Sequence, residues 1–175
     1  LTGGAATGRG AEYQTWYAVY VALKLISRLL RDSPLLRPML VIEPRILSSE
    51  SLTRWDIRTA PDNVATEAKA NPSKSDLVEL LERCRNNVNS GSTQRFELVH
   101  GETTVGNVRA IQKLIRLATE SAGVEDDFSK FCELEADEGL QDVLRILGST
   151  ALKVGQRLTL KPTPEHVLHD AIDCY

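Results

Sequence analysis

Between Ala11 and Asp32 the chain reads AEYQTWYAVYVALKLISRLLRD. Apolar residues recur there every three or four positions, at Trp16, Val19, Tyr20, Leu23, Ile26, Leu29 and Leu30. That spacing predicts an amphipathic helix. The prolines of DSPLLRP end it. The pattern then changes. MLVIEP, residues 39–44, is short and rich in branched apolar residues, so a strand is expected. SLTRWDIRT (51–59) and VATEAKA (64–70) read as two more strands, with APDN as the turn between them.

Helical spacing returns in PSKSDLVELLERCRNN, where Leu77, Leu80, Leu81 and Cys84 form one stripe behind an expected N-cap at Ser75. RFELVH (95–100) is a fourth expected strand. A helix opened by Thr103 or Thr104 follows, and residues 127–148 again read as helical. A last helix is expected with Thr163 at the N-cap and Pro164 at its first position. The order is helix, three strands, helix, strand, and then helices only. This predicts an α/β fold with a mixed central sheet flanked by helices. The expected division is a loose segment at 1–10, a core at 11–105 and a helical extension of the same domain at 106–175.

Composition narrows the class only a little. The 175 residues are 42% hydrophobic and 26% charged, enough apolar material for one domain with its own core. No run reaches the ~18 apolar residues of a membrane span, so no membrane partner is expected. The N-terminal LTGGAATGRGAEYQ has no apolar signal-peptide region. The only methionine is Met39, so the chain reads as a piece of a longer protein. Cys84, Cys132 and Cys174 are odd in number and lack CxxC spacing, which argues against a disulfide framework and a zinc site and makes a reducing cytoplasm the expected location. His166 and His169 near Cys174 fall short of four zinc ligands. No GxxxxGK[ST] phosphate loop is present, and GETTVG is too sparse to replace it.

The chemistry gathers in the expected hairpin. Pairing Thr59 with Val64 across the turn sets Arg58 against Ala65, Ile57 against Thr66, and Asp56 against Glu67. The two carboxylates then face each other with β-carbons roughly 4.5–5.5 Å apart. Strand alternation puts Lys69 on the same face as Glu67. Like charges in opposition are destabilising unless something cationic sits between them. A hard divalent ion is the natural candidate, because Mg²⁺ needs only one or two protein carboxylates besides water and substrate phosphates. Beside such an ion, a lysine can orient a water or offset charge on a phosphate. The bland alternative is a solvated hairpin face on which Lys69 merely neutralises Glu67. Against it stand Val64, Ala65, Ala68 and Ala70, which suit a buried ribbon where unpaired charge is costly.

Asp56 and Glu67-Ala68-Lys69, set within helix–strand–strand–strand–helix–strand, resemble the PD-(D/E)XK nuclease superfamily. The opening GRGAEYQTWYAVYVALKLI is similar to the Mrr-like restriction endonucleases. It is most similar to the double-stranded DNA endonuclease domain at the N-terminus of bacterial antiphage effectors of the CBASS and AVAST type. The resemblance covers about residues 8–105. It implies a restriction-endonuclease-like αβββαβ core and a Mg²⁺- or Mn²⁺-dependent hydrolase acting on DNA. It makes Asp56 and Glu67 metal ligands and Lys69 the motif lysine. Gln14 falls where relatives carry an acid or amide near the metal water, a better match than Glu12, and Glu43 falls where some members keep a further acid. The chain departs from the pattern at Trp55, where a proline is usual.

Arg109, Lys113 and Arg116 recur on one expected helix face, and Lys74, with Arg83 and Arg85, could extend that face along a phosphate backbone. An ordinary solvated helix face accounts for them equally well. Trp16, Tyr17 and Tyr20 read as core rather than as base-stacking platforms. The net charge of −3 is a weak footprint for a lone nucleic-acid binder. Self-association, or fusion to an NTPase or sensor domain, is therefore expected. The rival readings are an inactive nuclease-like binding or assembly module, and a restriction or junction-resolving nuclease.

Overall fold

The computed structural model describes residues 3–31, 39–42, 55–60, 62–101, 106–121, 128 and 137–175. The elements run α1 (Gly3–Arg31), β1 (Met39–Ile42), β2 (Ile57–Ala60), β3 (Val64–Lys69), α2 (Lys74–Asn89), β4 (Arg95–His100), α3 (Gly106–Glu120), α4 (Glu138–Leu147), a 3₁₀ turn (Gly148–Thr150), α5 (Ala151–Arg157), β5 (Leu158–Pro162) and α6 (Glu165–Asp173). The class is α/β, with one mixed five-stranded sheet in the order β1-β2-β3-β4-β5.

β1, β2 and β3 are antiparallel neighbours. β2 and β3 pair Ile57 with Thr66, Arg58 with Ala65 and Thr59 with Val64, which is the register the hairpin sequence implies. Asn63 completes the turn at φ 49°, a left-handed conformation that asparagine tolerates. At the far end of β3, the Gly101 N–H donates to the Ala70 carbonyl at 3.0 Å. Hydrogen-bonded strands whose C-terminal ends meet run parallel, and α2 supplies the crossover that parallel neighbours need. The Thr163 N–H donates to the His100 carbonyl at 2.7 Å, so β4 and β5 also finish side by side.

Sequence and structure part at several boundaries. α1 begins at Gly3, ahead of Ala11, within the segment expected to be loose. α2 is capped by Ser73, not Ser75. Ser73 and Asp76 satisfy each other's backbone N–H groups, a reciprocal capping box that a serine two residues later cannot form. Pro164, not Thr163, is the N-cap of α6. The tail is not all helical: Leu158–Pro162 is a strand, too short and too mixed in polarity to stand out in the sequence.

The chain divides into two compact units. The first comprises residues 1–71, 97–102 and 161–175. Its core gathers Tyr13, Tyr17 and Ala18 of α1 with Ile57, Ala68, Val99 and Leu168. The expected apolar stripe of α1 is buried only in part: Trp16 and Tyr20 pack against this core, but the rest of the stripe largely does not. Val19, Ile26, Leu29 and Leu30 are exposed, Leu30 by 83%. The helix carries apolar residues on two sides, and its tyrosines decide which side turns inward. The Tyr13 hydroxyl donates to the Thr163 carbonyl and the Tyr17 hydroxyl to Glu97 Oε1, each at 2.8 Å.

The second unit, residues 72–96 and 103–160, is mainly helical. Leu77, Leu80, Leu81 and Cys84 of α2 are buried as their spacing predicts. α3 packs on α4 and α5. Gly155 permits the α3–α5 approach, because a β-carbon there would lie 2.6 Å from Ala118 Cβ.

Candidate functional site

The first unit holds Gln14, Asp56, Glu67 and Lys69. Asp56 sits in a bend immediately before β2, behind a fully buried Trp55. Because Ile57 pairs with Thr66, Asp56 and Glu67 adjoin at the end of the β2–β3 ladder. Both are enclosed, at 8% and 4% exposure. Burial at this level demands partners, since an unpaired buried charge is costly.

Asp56 obtains partners from two directions. The Ala68 backbone N–H donates to Oδ2 at 2.9 Å, and the Gln14 side-chain amide donates to the same oxygen at 3.1 Å. The carboxylate therefore serves β3 as an acceptor where the backbone ladder runs out. Glu67 has Lys69, with Nζ 3.7 Å from Oε1 and the lysine side chain only 11% exposed. The four residues thus form two pairs at the β2–β3 junction, Gln14 with Asp56 and Lys69 with Glu67.

Ala68 belongs to the cluster under α1, so Glu67 and Lys69 point to the opposite sheet face. Asp56 joins the two sides: Gln14 reaches it from α1, and Ala68 reaches it from the strand.

Among the described residues no group of three or more His, Cys, Asp or Glu side chains is placed to hold a metal ion. Two carboxylates nevertheless match what Mg²⁺ asks of a protein. The two donors at Asp56 Oδ2 fix the orientation of that carboxylate. In that respect the residues present fit a hard cation. Glu43, the further acid expected from the sequence, lies outside the described residues.

The basic residues belong to the second unit. Lys74 pairs with Asp142 at 3.3 Å, and Lys113 with Asp137 at 3.7 Å. Arg109 and Arg116 are exposed on α3. Arg83 is buried and donates to the Glu79 carbonyl, while Arg85 donates to the Ile146 carbonyl at 2.8 Å. Acidic neighbours therefore answer part of the expected stripe, and Arg83 and Arg85 bond backbone carbonyls. The His169 ring packs against Trp16, with centroids 4.7 Å apart.

A second ionic group was not anticipated from the sequence. Glu97 is 8% exposed and takes the Tyr17 hydroxyl on Oε1 and the Lys161 ammonium on Oε2. Burial, and then the Glu97 charge and hydrogen bond, push the Tyr17 phenol far above its ordinary range, so it remains a donor. The one signal in the sequence was a lone acid inside the apolar strand RFELVH.

No protein-family model matches the chain, and no curated protein or solved structure matches it. Among the described residues no helix is long and apolar enough to cross a membrane.

Proposed function

We propose that the chain is a metal-dependent endonuclease domain that hydrolyses DNA phosphodiester bonds, and that it serves as the effector part of a bacterial antiphage protein. The observation that carries the reading is the pair of buried carboxylates at the β2–β3 junction, with a lysine two residues beyond the second. A solvated hairpin face would leave these groups in water. Here two acids are enclosed side by side, and their mutual repulsion suits a site that takes a cation.

Asp56 and Glu67 would hold Mg²⁺ or Mn²⁺. Such an ion would supply Lewis-acid activation of the phosphoryl group and ease deprotonation of the attacking water. Gln14 fixes the Asp56 carboxylate. Lys69, paired with Glu67, would offset charge that grows on the phosphate. Double-stranded DNA is the proposed partner, with self-association or a fused NTPase or sensor domain supplying the affinity that a net charge of −3 withholds. The deciding experiment is nicking of supercoiled plasmid with Mg²⁺, with Mn²⁺ and with EDTA. Cleavage by wild type that Lys69→Ala abolishes supports the reading. Failure to bind either ion by calorimetry overturns it.

One observation favours the rival assembly module. Val19, Ile26 and Leu30 lie exposed along α1 at spacings of seven and four, as on a helix that meets another helix. In that case concentration-dependent association would persist with Asp56 and Glu67 replaced, and no ion would bind.

A further inference from the structure

α1 has 29 residues, about 44 Å of helix, whereas the six residues of β3 span only about 20 Å. The helix overruns the strand it packs on. Tyr13 and Tyr17 turn into the core. At about 100° per residue, Lys24, Arg28 and Arg31 continue that same face past the tyrosines. Their contacts agree. Lys24 Nζ lies 5.0 Å from the centre of the Tyr20 ring, and Arg28 pairs at 3.1 Å with Asp62 of the β2–β3 turn.

The opposite face carries Thr15, Val19, Ala22, Ile26 and Leu29, at spacings of four, three, four and three. Leu23 and Leu30 border it. Val19, Ile26, Leu29 and Leu30 are exposed. The Thr15 hydroxyl donates to the Ala11 carbonyl at 2.9 Å, so its polarity is answered within the helix. Beyond Glu12, the charged residues of α1 are Lys24, Arg28 and Arg31 alone, and none of them lies on this face. A surface helix ordinarily turns its charges to solvent and its apolar stripe to the core. Here the charges lie on the sheet side and an uncharged stripe looks outward. Its alternation of fours and threes is the seam of paired helices.

We propose that a second copy of the chain covers this face, the two α1 helices packing antiparallel about Ala22. Charge selects the partner. A helix lying on an anionic lipid surface keeps its cations beside the apolar face, where they reach the headgroups. The cations of α1 lie on the far side. An acidic peptide would meet no cation in the seam. In a two-fold contact each patch meets itself, so a charge within it would face its own like. A seam without charge meets that condition. Volume sets the direction. Antiparallel helices bring Thr15 to Leu30, Val19 to Ile26 and Ala22 to Leu23, each a smaller residue against a larger one. Parallel helices would set Ala22 against Ala22 and leave a gap. The seam is turned away from the sheet, so the contact holds whether or not Asp56 and Glu67 take a cation.

The test is sedimentation equilibrium of the full chain without metal. Wild type should pass reversibly from monomer to dimer as concentration rises. Ile26→Glu, which puts a charge opposite Val19 of the other copy, should weaken the dimer about 100-fold or more. Leu30→Glu should weaken it about tenfold or more. Lys24→Glu, on the sheet side, should leave it unchanged. Leu30 is 83% exposed, so Leu30→Glu decides if circular dichroism shows Ile26→Glu unfolded. In a Cys174→Ser background, oxidising an equal mixture of Val19→Cys and Ile26→Cys chains should link one of each. Val19→Cys alone should cross-link less. A wild type that stays monomeric at about 1 mM overturns the proposal. So does a dimer that Ile26→Glu and Leu30→Glu leave intact, or Val19→Cys cross-linking best with itself. Monomers that cosediment with phosphatidylserine vesicles overturn it in favour of a lipid surface.

Discussion

The Asp56 carboxylate caps β3, its Oδ2 accepting the Ala68 backbone N–H at 2.9 Å. The hairpin sequence presents Asp56 only as one of two repelling acids, which suggests that its removal would be harmless to the metal-free fold. The hydrogen bond reverses that expectation. Asp56→Ala orphans a buried N–H and should cost about 1–3 kcal/mol without metal. Asp56→Asn keeps a carbonyl oxygen for Ala68, so it should melt near wild type while losing Mg²⁺ binding and nicking. Thermal melts of the two variants with and without Mg²⁺ separate the structural role from the proposed one.

Lys69 is expected to act in turnover rather than in binding. Lys69→Ala should reduce plasmid nicking about 100-fold or more, as for loss of one group that stabilises transition-state charge. Mn²⁺ affinity by calorimetry should change little. A large loss of affinity with nicking preserved would mean that Lys69 only neutralises Glu67.

Tyr17 gives the fold an alkaline limit. Its phenol titrates well above the unfolded value of 10.0 because it is buried and donates to Glu97. Above pH 10 the unfolded chain has lost the proton that the folded chain keeps. The contribution is therefore fully present below pH 10 and falls as pH rises, by up to about 1.4 kcal/mol per pH unit from this group. Tyr17→Phe should flatten that slope in urea melts taken from pH 9 to 11. It should also lower stability at pH 8, because Glu97 loses a donor.

Gly155 should tolerate no side chain. The methyl of Gly155→Ala would meet Ala118 Cβ at 2.6 Å and the Leu114 carbonyl oxygen at 3.3 Å. Overpacking of this kind costs about 1–3 kcal/mol. A melting temperature equal to wild type would mean that α3 and α5 separate without strain.

The sequence by itself determined the elements whose causes are local. Turn residues and strand alternation fix the Ile57–Thr66 register, so the adjacency of Asp56 and Glu67 was legible in the order of residues alone. Stripe spacing likewise determined the buried face of α2. Tertiary structure decided whatever depended on a distant partner. α1 has two apolar sides, and the hydrogen bonds of Tyr13 to Thr163 and Tyr17 to Glu97 chose between them. The hydrogen bond from Gln14 to Asp56 spans 42 positions in the chain, and no spacing rule reaches that far. Lys74 and Lys113 looked like part of a basic face until Asp142 and Asp137 were placed beside them. Periodicity reports which residues share a face. It carries no record of what that face meets, because the contact is made by chain that has folded back from elsewhere.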